Sequence, residues 1–251
     1  MENVNPYASP LAAGGEAVAA AEQPLTLLGA FRAGTSLYLR RLPTIVALTL
    51  SIWVPAELFV SYQEYFVLDP DDVLGVFRWT ALTEAVVGII ATGGIISVGE
   101  ADLRGEHRGW LAGLVDGLRA WPRLFATRLL GGLVLICAAV FLLLPAIYLG
   151  VRYSLSDTAA VVERRAGMGA LNRSMELTRG RFLVFFGLLV VTLVPLLIAG
   201  GVIFLPLLLF PEIDHWLVSA ALTCVTDLLY SWMTLVFVAA YVQCRAEEPY
   251  T

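Results

Sequence analysis

The chain has 251 residues, of which 59% are hydrophobic, and its mean hydropathy is +0.79. A soluble domain is only about 45–50% apolar, so the composition excludes an ordinary soluble fold and indicates a membrane protein. The net charge is −5 and all 16 basic residues are arginine. No basic face with interleaved aromatic residues is present, so we expect no nucleic acid as a partner.

The first 23 residues are unlike a signal peptide. They carry Glu2, Glu16 and Glu22, and they lack both a basic region and an apolar core. Their Ala/Gly-rich composition predicts a flexible cytoplasmic tail. Within this tail, NPYASP at residues 5–10 has two interpretations, a disordered leader or a short docking motif.

Segments of about 20 apolar residues are long enough to cross a bilayer as helices. Four segments meet this requirement plainly: about 43–62, 80–99, 182–205 and 217–243. A fifth block, 129–151, is interrupted by Pro145 and followed by a more polar stretch. We therefore expect one polytopic membrane domain over residues 24–243, with a short cytoplasmic tail at 244–251.

The arginines predict the orientation, because loops rich in arginine next to a span remain cytoplasmic. Three basic segments stand before the apolar blocks 43–62, 129–151 and 182–205. In chain order they contain Arg32, Arg40 and Arg41; Arg104, Arg108, Arg119, Arg123 and Arg128; and Arg164, Arg165, Arg173, Arg179 and Arg181. The loops at 63–79 and 211–215 are acidic and should lie outside.

The block around Pro145 decides the number of crossings. A single crossing would leave the arginines of 163–182 outside, whereas spans at 129–144 and 146–163 would keep them inside. The returning arm contains Arg152 and Asp157, so its polar side must face other helices or a wet cavity. The sequence therefore favours a six-helix bundle of the all-α class with both termini cytoplasmic. A single crossing and a re-entrant arm remain open alternatives.

A weak threefold pattern accompanies these spans. Segments 30–42, 113–125 and 170–182 are each amphipathic at helical spacing and each precede a span. The pattern predicts three units of interfacial helix plus transmembrane hairpin, although chance similarity between amphipathic helices explains it as well. We expect anionic lipid headgroups to contact the basic faces through Arg40, Arg41, Arg119, Arg123, Arg173, Arg179 and Arg181.

Five ionisable residues fall inside the predicted spans, where charges are costly and often functional. They are Glu57, Glu84, Arg152, Asp157 and Asp227. We expect Arg152 to meet carboxylates in the outer half of the bundle. One interpretation is a coupling or substrate site, and the other is a buried salt bridge that ties the hairpin arm to its neighbours.

No recognised catalytic pattern is present, neither HExxH, a phosphate-binding glycine loop nor a nucleophile elbow. Glu212, Asp214 and His215 suggest a metal site only loosely, and a solvated turn that caps the next helix explains them better. We therefore expect no catalytic, cofactor or metal site, and no enzymatic activity.

The stretch at residues 144–182, LPAIYLGVRYSLSDTAAVVERRAGMGALNRSMELTRGRF, resembles the membrane domain attached to some bacterial glycerophosphoryl diester phosphodiesterases. It also resembles related stand-alone six-span bacterial membrane proteins of uncharacterised function. The resemblance rests on Pro145, Arg152-Tyr153-Ser154, Glu163, Ala170-Leu171, Arg173-Ser174 and Leu177-Thr178-Arg179-Gly180. The resemblance implies the architecture of such a six-span membrane domain more than an activity. In those enzymes a separate soluble domain carries catalysis, and we expect that domain, and diesterase activity, to be absent here.

Three functions remain open from the sequence. The first is a non-enzymatic protein of the bacterial inner membrane that scaffolds or regulates through its interfacial helices. The second is a small transporter or channel that uses the intramembrane charges. The third is a membrane partner of a separately encoded lipid-handling enzyme. The expected partners are membrane lipids, with a second copy or another membrane protein as further possibilities.

Overall fold

The computed structural model describes residues 25–69, 72–210 and 215–248. Within these ranges the protein is all-helical and contains no strand, which confirms the predicted class. The predicted tail 1–23 with NPYASP lies outside the described residues, as do Glu212 and Asp214 of the predicted outer turn.

The helices of the described part follow one another as α1 (Leu27–Arg40), α2 (Leu42–Phe66), α3 (Val73–Thr83), α4 (Ile89–Leu103), α5 (Trp110–Phe141), α6 (Leu143–Arg152), α7 (Ser156–Val162), α8 (Met168–Leu177), α9 (Phe182–Leu209) and α10 (Trp216–Ala246). A π-helical turn, Glu84–Gly88, joins α3 to α4. Five helical stretches of the described chain are long and apolar enough to cross a membrane: α2, α3–α4, α5, α9 and α10.

Local sequence signals explain several helix boundaries. The Thr26 hydroxyl accepts a hydrogen bond from the Gly29 N–H at 3.0 Å and so caps α1. Asp72 caps α3 in the same way through the Gly75 N–H, at 2.8 Å. After α8, Gly180 adopts a φ of +75°, which favours glycine, and the chain turns there into α9.

The bundle has two chemically different ends. The end that we call the arginine end holds Arg40 and Arg41 against Asp102, and Arg181 against Glu247. The opposite end, which we call the aromatic end, holds ring contacts of Tyr62 and Phe66 with Trp216, and of Phe59 with Trp79. The arginine end therefore contains the first residues of α2 and α9 and the last residues of α4 and α10.

The helix α10 forms the centre of the bundle. Its half nearest the arginine end is buried almost throughout, from Leu235 to Cys244. It packs against α1, α2, α4 and α9. Close to its middle, the Trp232 indole N–H donates to the Thr35 hydroxyl of α1 at 3.0 Å. The helix α9, by contrast, has a mean hydropathy of 2.9 and is largely exposed, as expected for a helix that faces lipid.

Glycines bring α4 and α5 into backbone contact. A Cβ atom added to Gly94 would lie 2.9 Å from the Gly113 carbonyl oxygen, and one added to Gly93 would lie 3.1 Å from Gly117 Cα. Small residues inside a span permit this close helix packing. At Gly200 of α9, by contrast, no atom lies within 4 Å of such a Cβ.

The chain turns at Leu142, whose backbone is extended (φ −164°, ψ 135°), and α6 and α7 pack back along α5. The Gly167 N–H then donates to the Thr127 hydroxyl at 3.0 Å, so the arm has returned well toward the arginine end. Pro145 lies three residues past the turn, in the first turn of α6, where its missing N–H costs nothing. The arm is two short helices, not the single helix predicted over 146–163.

Ser174 of α8 stabilises the break between α6 and α7. Its hydroxyl donates to the Arg152 carbonyl at 2.7 Å and accepts from the Leu155 N–H at 3.1 Å. Ser174 is fully buried, so these two backbone groups have a partner where water is absent.

Replacing Ser174 with alanine should therefore lower the free energy of unfolding by about 1–3 kcal/mol, the cost of leaving a buried donor, the Leu155 N–H, without its acceptor. Thermal unfolding in detergent measures the change. The matched control is Ser51→Ala on the exposed face of α2, where the hydroxyl bonds only its own helix at the Leu48 carbonyl. If both variants lowered the unfolding temperature by the same amount, the role of Ser174 would be contradicted.

The helix breaks do not follow the predicted threefold pattern. The helices α1 and α8 are separate from the long helices that follow them, whereas 113–125 is continuous with its span as α5. The predicted separate interfacial helix at 113–125 is therefore wrong. The first unit breaks at Arg41, just before Pro43, and the third breaks at Gly180. Residues 126–129 offer no such signal, so the helix continues.

Candidate functional site

A polar cavity of about 450 Å³ lies inside the bundle between α2, α4, α5, α7 and α10. We call it the central cavity. Its polar wall contains Glu84, Arg128, Ser154, Asp157 and Asp227, and its apolar wall includes Ile95, Ile96 and Phe237. Charged side chains so far inside an apolar bundle are rare in membrane proteins and mark functional regions.

A second cavity of about 200 Å³ adjoins the first on the side of the aromatic end. This distal cavity shares Trp53, Glu84 and Asp227 with the central cavity and adds Glu57 and Glu64. The two cavities together form a path lined by carboxylates that leads from near the aromatic end into the middle of the bundle.

Arg128 of α5 joins several helices across the central cavity. Its Nε atom donates to Asp157 of α7 at 3.0 Å, and its Nη2 atom lies 2.9 Å from the same carboxylate oxygen. Nη2 also donates to the Thr92 hydroxyl at 2.9 Å, and Nη1 lies 3.8 Å from Glu84. The guanidinium thus connects α5 to α4, to the π-helical turn and to the returning arm.

The π-helical turn places the Glu84 carboxylate beside the cavity. A Cβ atom on Gly88 would lie 2.7 Å from the carboxylate carbon and from both oxygens of Glu84, so only glycine leaves room for this conformation. π-Helical turns within α-helices are frequent at functional sites. The Glu84 side chain is 59% exposed, so the central cavity is open rather than enclosed at this residue.

Asp227 of α10 is the least satisfied of these carboxylates. Its Oδ2 atom is buried and has no hydrogen-bond partner among the described residues, and the same holds for the Ser154 hydroxyl on the other side of the cavity. Glu57 is 8% exposed on α2. Within the described walls of the two cavities, Arg128 is the one cation beside Glu57, Glu64, Glu84, Asp157 and Asp227. The described walls therefore contain more carboxyl groups than cationic groups.

Four of the five predicted intramembrane residues line these cavities, namely Glu57, Glu84, Asp157 and Asp227. The fifth prediction, Arg152 as their cation, is wrong. Its guanidinium lies over the Tyr148 ring at 5.9 Å, and Tyr148 itself stacks on Phe182 of α9. The last turn of α6 therefore directs Arg152 toward α9, and it makes no ion pair with any described residue.

Arg128 takes the place predicted for Arg152. From the sequence it belongs to a cytoplasmic connection, because arginines before a span usually remain outside the bilayer. The signal that indicates otherwise is the lack of any helix-ending residue between Phe125 and Leu129, which keeps Arg128 inside α5.

A third cavity, also about 450 Å³, lies at the arginine end, and we call it the arginine cavity. It is lined by Ser97, Glu100, Arg104, Arg108, Asp116, Arg119, Ala120, Arg123, Val161, Val162 and Arg164. On α5 and α7, the residues that separate it from the central cavity include Leu124, Ala159 and Ala160, all 0% exposed. A thin packed layer thus closes the path between the two cavities.

Glu163, which follows α7, forms the densest ion-pair cluster of the arginine end. One carboxylate oxygen accepts from Arg173 Nε at 2.8 Å and from the Tyr241 hydroxyl at 2.6 Å, while Arg245 lies 3.5 Å away. The other oxygen pairs with Arg165 at 2.8 Å. Burial raises the pKa of Glu163, but the hydrogen bonds from Tyr241 and Arg173 and the nearby arginines hold it below its usual value.

Most of the arginines predicted to contact lipid headgroups have carboxylate partners. Arg40 and Arg41 bind Asp102, and the pairs at Arg173 and Arg181 include Glu248 and Glu247. Arg179 is exposed, Arg119 is 76% exposed in its side chain, and Arg123 lines the arginine cavity. The packed pairs form because α1 and α8 lie against other helices, not only on lipid.

A family model described as a domain of unknown function, DUF7847, matches residues 110–248, more than half of the chain. The chain belongs to this family. No curated protein and no solved structure matches it. The DUF7847 region runs from α5 to α10, so it contains Arg128, Asp157 and Asp227, whereas Glu57 and Glu84 precede it. The resemblance to phosphodiesterase membrane domains stays a prediction.

Proposed function

We propose that the chain is a multi-pass membrane protein with its arginine end in the cytoplasm, and that it binds and conducts a small cation through the central and distal cavities. Five helices of suitable length and hydropathy support the membrane setting. The arm α6–α7 supplies a sixth, broken crossing, supported by its return along α5 to the level of Thr127. The clustering of arginines supports the orientation in a bacterial inner membrane.

The observation that carries the function is the excess of carboxylates around a buried, unpartnered Asp227 oxygen. A polar atom without a partner inside an apolar bundle costs free energy, and a bound cation or water removes that cost. Carboxylate groups in a pore favour cations over anions. A cation would enter at Glu64, pass Glu57, and bind between Glu84 and Asp227.

The arrangement of Arg128 supports a closed state on the arginine side. Arg128 binds Asp157 of the arm, while the layer around Leu124 and Ala159 closes the way to the arginine cavity. A cation near Glu84 would repel Arg128 and weaken its hold on the arm. Movement of the short helices α6 and α7, rather than of a long span, would then open the packed layer.

Flux through reconstituted liposomes tests this proposal. Vesicles that contain the full chain and a dye sensitive to H⁺, Na⁺ or K⁺ should show cation entry above that of protein-free vesicles. Asp227→Asn should reduce the rate about tenfold or more, because it removes a charged ligand.

The matched control for Asp227→Asn is Glu106→Gln, which removes a carboxylate that is 58% exposed and lies outside the described cavity walls. It should leave the flux unchanged. Absence of flux for all three cations, or equal flux for the wild type and Asp227→Asn, would rule the proposal out.

The second candidate is a scaffold or regulatory protein, including a membrane partner of a lipid-handling enzyme. The observation that favours it is the exposed apolar surface of α9, where Leu183, Ile198 and Leu208 are at least 63% exposed. Such a surface suits a neighbouring membrane helix as well as lipid. Co-purification of one protein in constant ratio, lost with Ile198→Trp and retained with Asp227→Asn, would support this candidate.

A further inference from the structure

The arginine cavity has a charge pattern opposite to that of the central cavity. Two of its arginines are neutralised by its own carboxylates, since Arg104 pairs with Glu100 and Arg108 pairs with Asp116. Three others lack a close carboxylate among the described residues: Arg119, whose nearest such oxygen is 4.0 Å away on Asp116, together with Arg123 and Arg164. The walls therefore carry an excess of positive charge.

Among these arginines, Arg123 gives the clearest indication that the cavity binds an anion. Its Nε atom is buried and has no hydrogen-bond acceptor among the described residues. A buried donor without an acceptor is costly, and more so when it is charged. The two carboxylates of the cavity are occupied elsewhere, because Asp116 already accepts from Ser97 at 2.7 Å and from Arg108.

Arg164 also lines the arginine cavity, and its backbone is strained. Its φ is +54°, in the region that favours glycine, and it stands directly after Glu163, which the ion pairs to Arg173 and Arg165 hold in place. Backbone conformations of this kind persist where the surroundings enforce them, often at binding sites.

We infer that the arginine cavity binds a phosphate group through Arg119, Arg123 and Arg164. The guanidinium group matches phosphate oxygens with two parallel N–H bonds. Arg123 and Arg164 have no carboxylate partner among the described residues, so their N–H groups are available for such bonds. The cavity is larger than one phosphate group, so it admits a phosphoglycerol headgroup or a free phosphate ion. On α5, the helix that carries Arg119 and Arg123, the side chains of Leu111, Val115 and Leu118 are exposed. They offer an apolar surface for an acyl chain.

Lipid binding to the full chain in detergent tests the inference, with native mass spectrometry as the readout. We expect the wild type to retain phosphatidylglycerol in preference to phosphatidylcholine. Arg123→Gln should weaken phosphatidylglycerol binding about tenfold, as expected for the loss of one charge-assisted contact. Adding inorganic phosphate distinguishes a free phosphate ion from a lipid headgroup as the ligand. If inorganic phosphate displaces phosphatidylglycerol, the cavity recognises the phosphate group itself. If phosphatidylglycerol stays bound, the cavity requires the whole lipid.

The matched control is Arg32→Gln, an exposed arginine of α1 outside the described cavity wall, and it should leave binding unchanged. Asp116→Asn removes a negative charge from the wall and should keep or strengthen binding, so a gain remains measurable even where a loss variant folds poorly. Equal binding by the wild type and Arg123→Gln, or an equal loss with Arg32→Gln, would overturn the inference. The site is independent of cation flux through the central cavity.

Discussion

Gly117→Ala should lower the free energy of unfolding by about 3 kcal/mol, the upper range for overpacking a tight interface. A Cβ atom at this position would lie 2.9 Å from the Gly94 backbone nitrogen and still closer to the Ile90 carbonyl oxygen. Both atoms belong to the backbone of α4, so no side-chain rotation relieves the clash. The helices would have to separate, and α4 carries one wall of the central cavity. Unfolding in denaturant-titrated detergent measures the effect.

Gly132→Ala is the matched control, because it introduces the same methyl group on the same helix. No atom lies within 4 Å of the Cβ position of Gly132. Alanine is favoured over glycine in a helix by about 1 kcal/mol, so this variant should be neutral or slightly more stable. A destabilisation of similar size at both positions would show that α4 and α5 do not pack as described.

Glu163→Gln should destabilise the protein by about 3 kcal/mol, within the range for removing one partner of a buried ion pair. The Glu163 side chain is 10% exposed and that of Arg173 is 12% exposed, so the remaining charges have little access to water. The loss would separate the end of α7 from α8 and from the end of α10. Thermal unfolding measures the effect, and Glu176→Gln, which removes the 63% exposed partner of Arg173, is the control expected to change little.

The same ion-pair cluster around Glu163 makes the stability of the protein depend on pH. Because the folded protein holds the pKa of Glu163 below its usual value, the stabilisation is complete at neutral pH. It is lost progressively as the pH falls below the ordinary glutamate pKa of about 4.3 toward the lowered value. The wild type should therefore lose more stability than Glu163→Gln between pH 6 and pH 3 in parallel unfolding series. If the free energy of unfolding fell equally with pH in both proteins, groups other than Glu163 would cause the acid sensitivity.

The long helices follow from the sequence with little ambiguity. Apolar stretches of sufficient length and turns such as Gly180 predict where most of them begin and end. The close approach of α4 and α5 is readable only in part, because the paired glycines at 93–94 pack against a neighbouring helix, whereas a Cβ at Gly200 would have no atom within 4 Å. Four carboxylates of the candidate site, including Asp227, are found by asking which charges lie inside spans.

The cation of the site is not predictable in the same way. Arg128 and Arg152 both stand next to the same apolar block, and only packing decides which of them faces the cavity. The choice depends on the turn at Leu142 and on the break in the arm, which Ser174 stabilises from 22 residues beyond Arg152. Contacts at such separation are set by tertiary structure, whereas hydropathy and charge rules describe each segment alone.

The central position of α10 has a consequence for biosynthesis. It is the last helix of the described chain, yet α1 and α2 bury their polar and small residues against it, as Thr35 does at Trp232 and Thr49 does at Ser231, 3.1 Å apart. While the ribosome is still translating α9, the earlier helices sit in the bilayer with these faces uncovered. The bundle can therefore close only after synthesis reaches its final helix, and until then the nascent protein depends on the insertion machinery or on lipid to protect those surfaces.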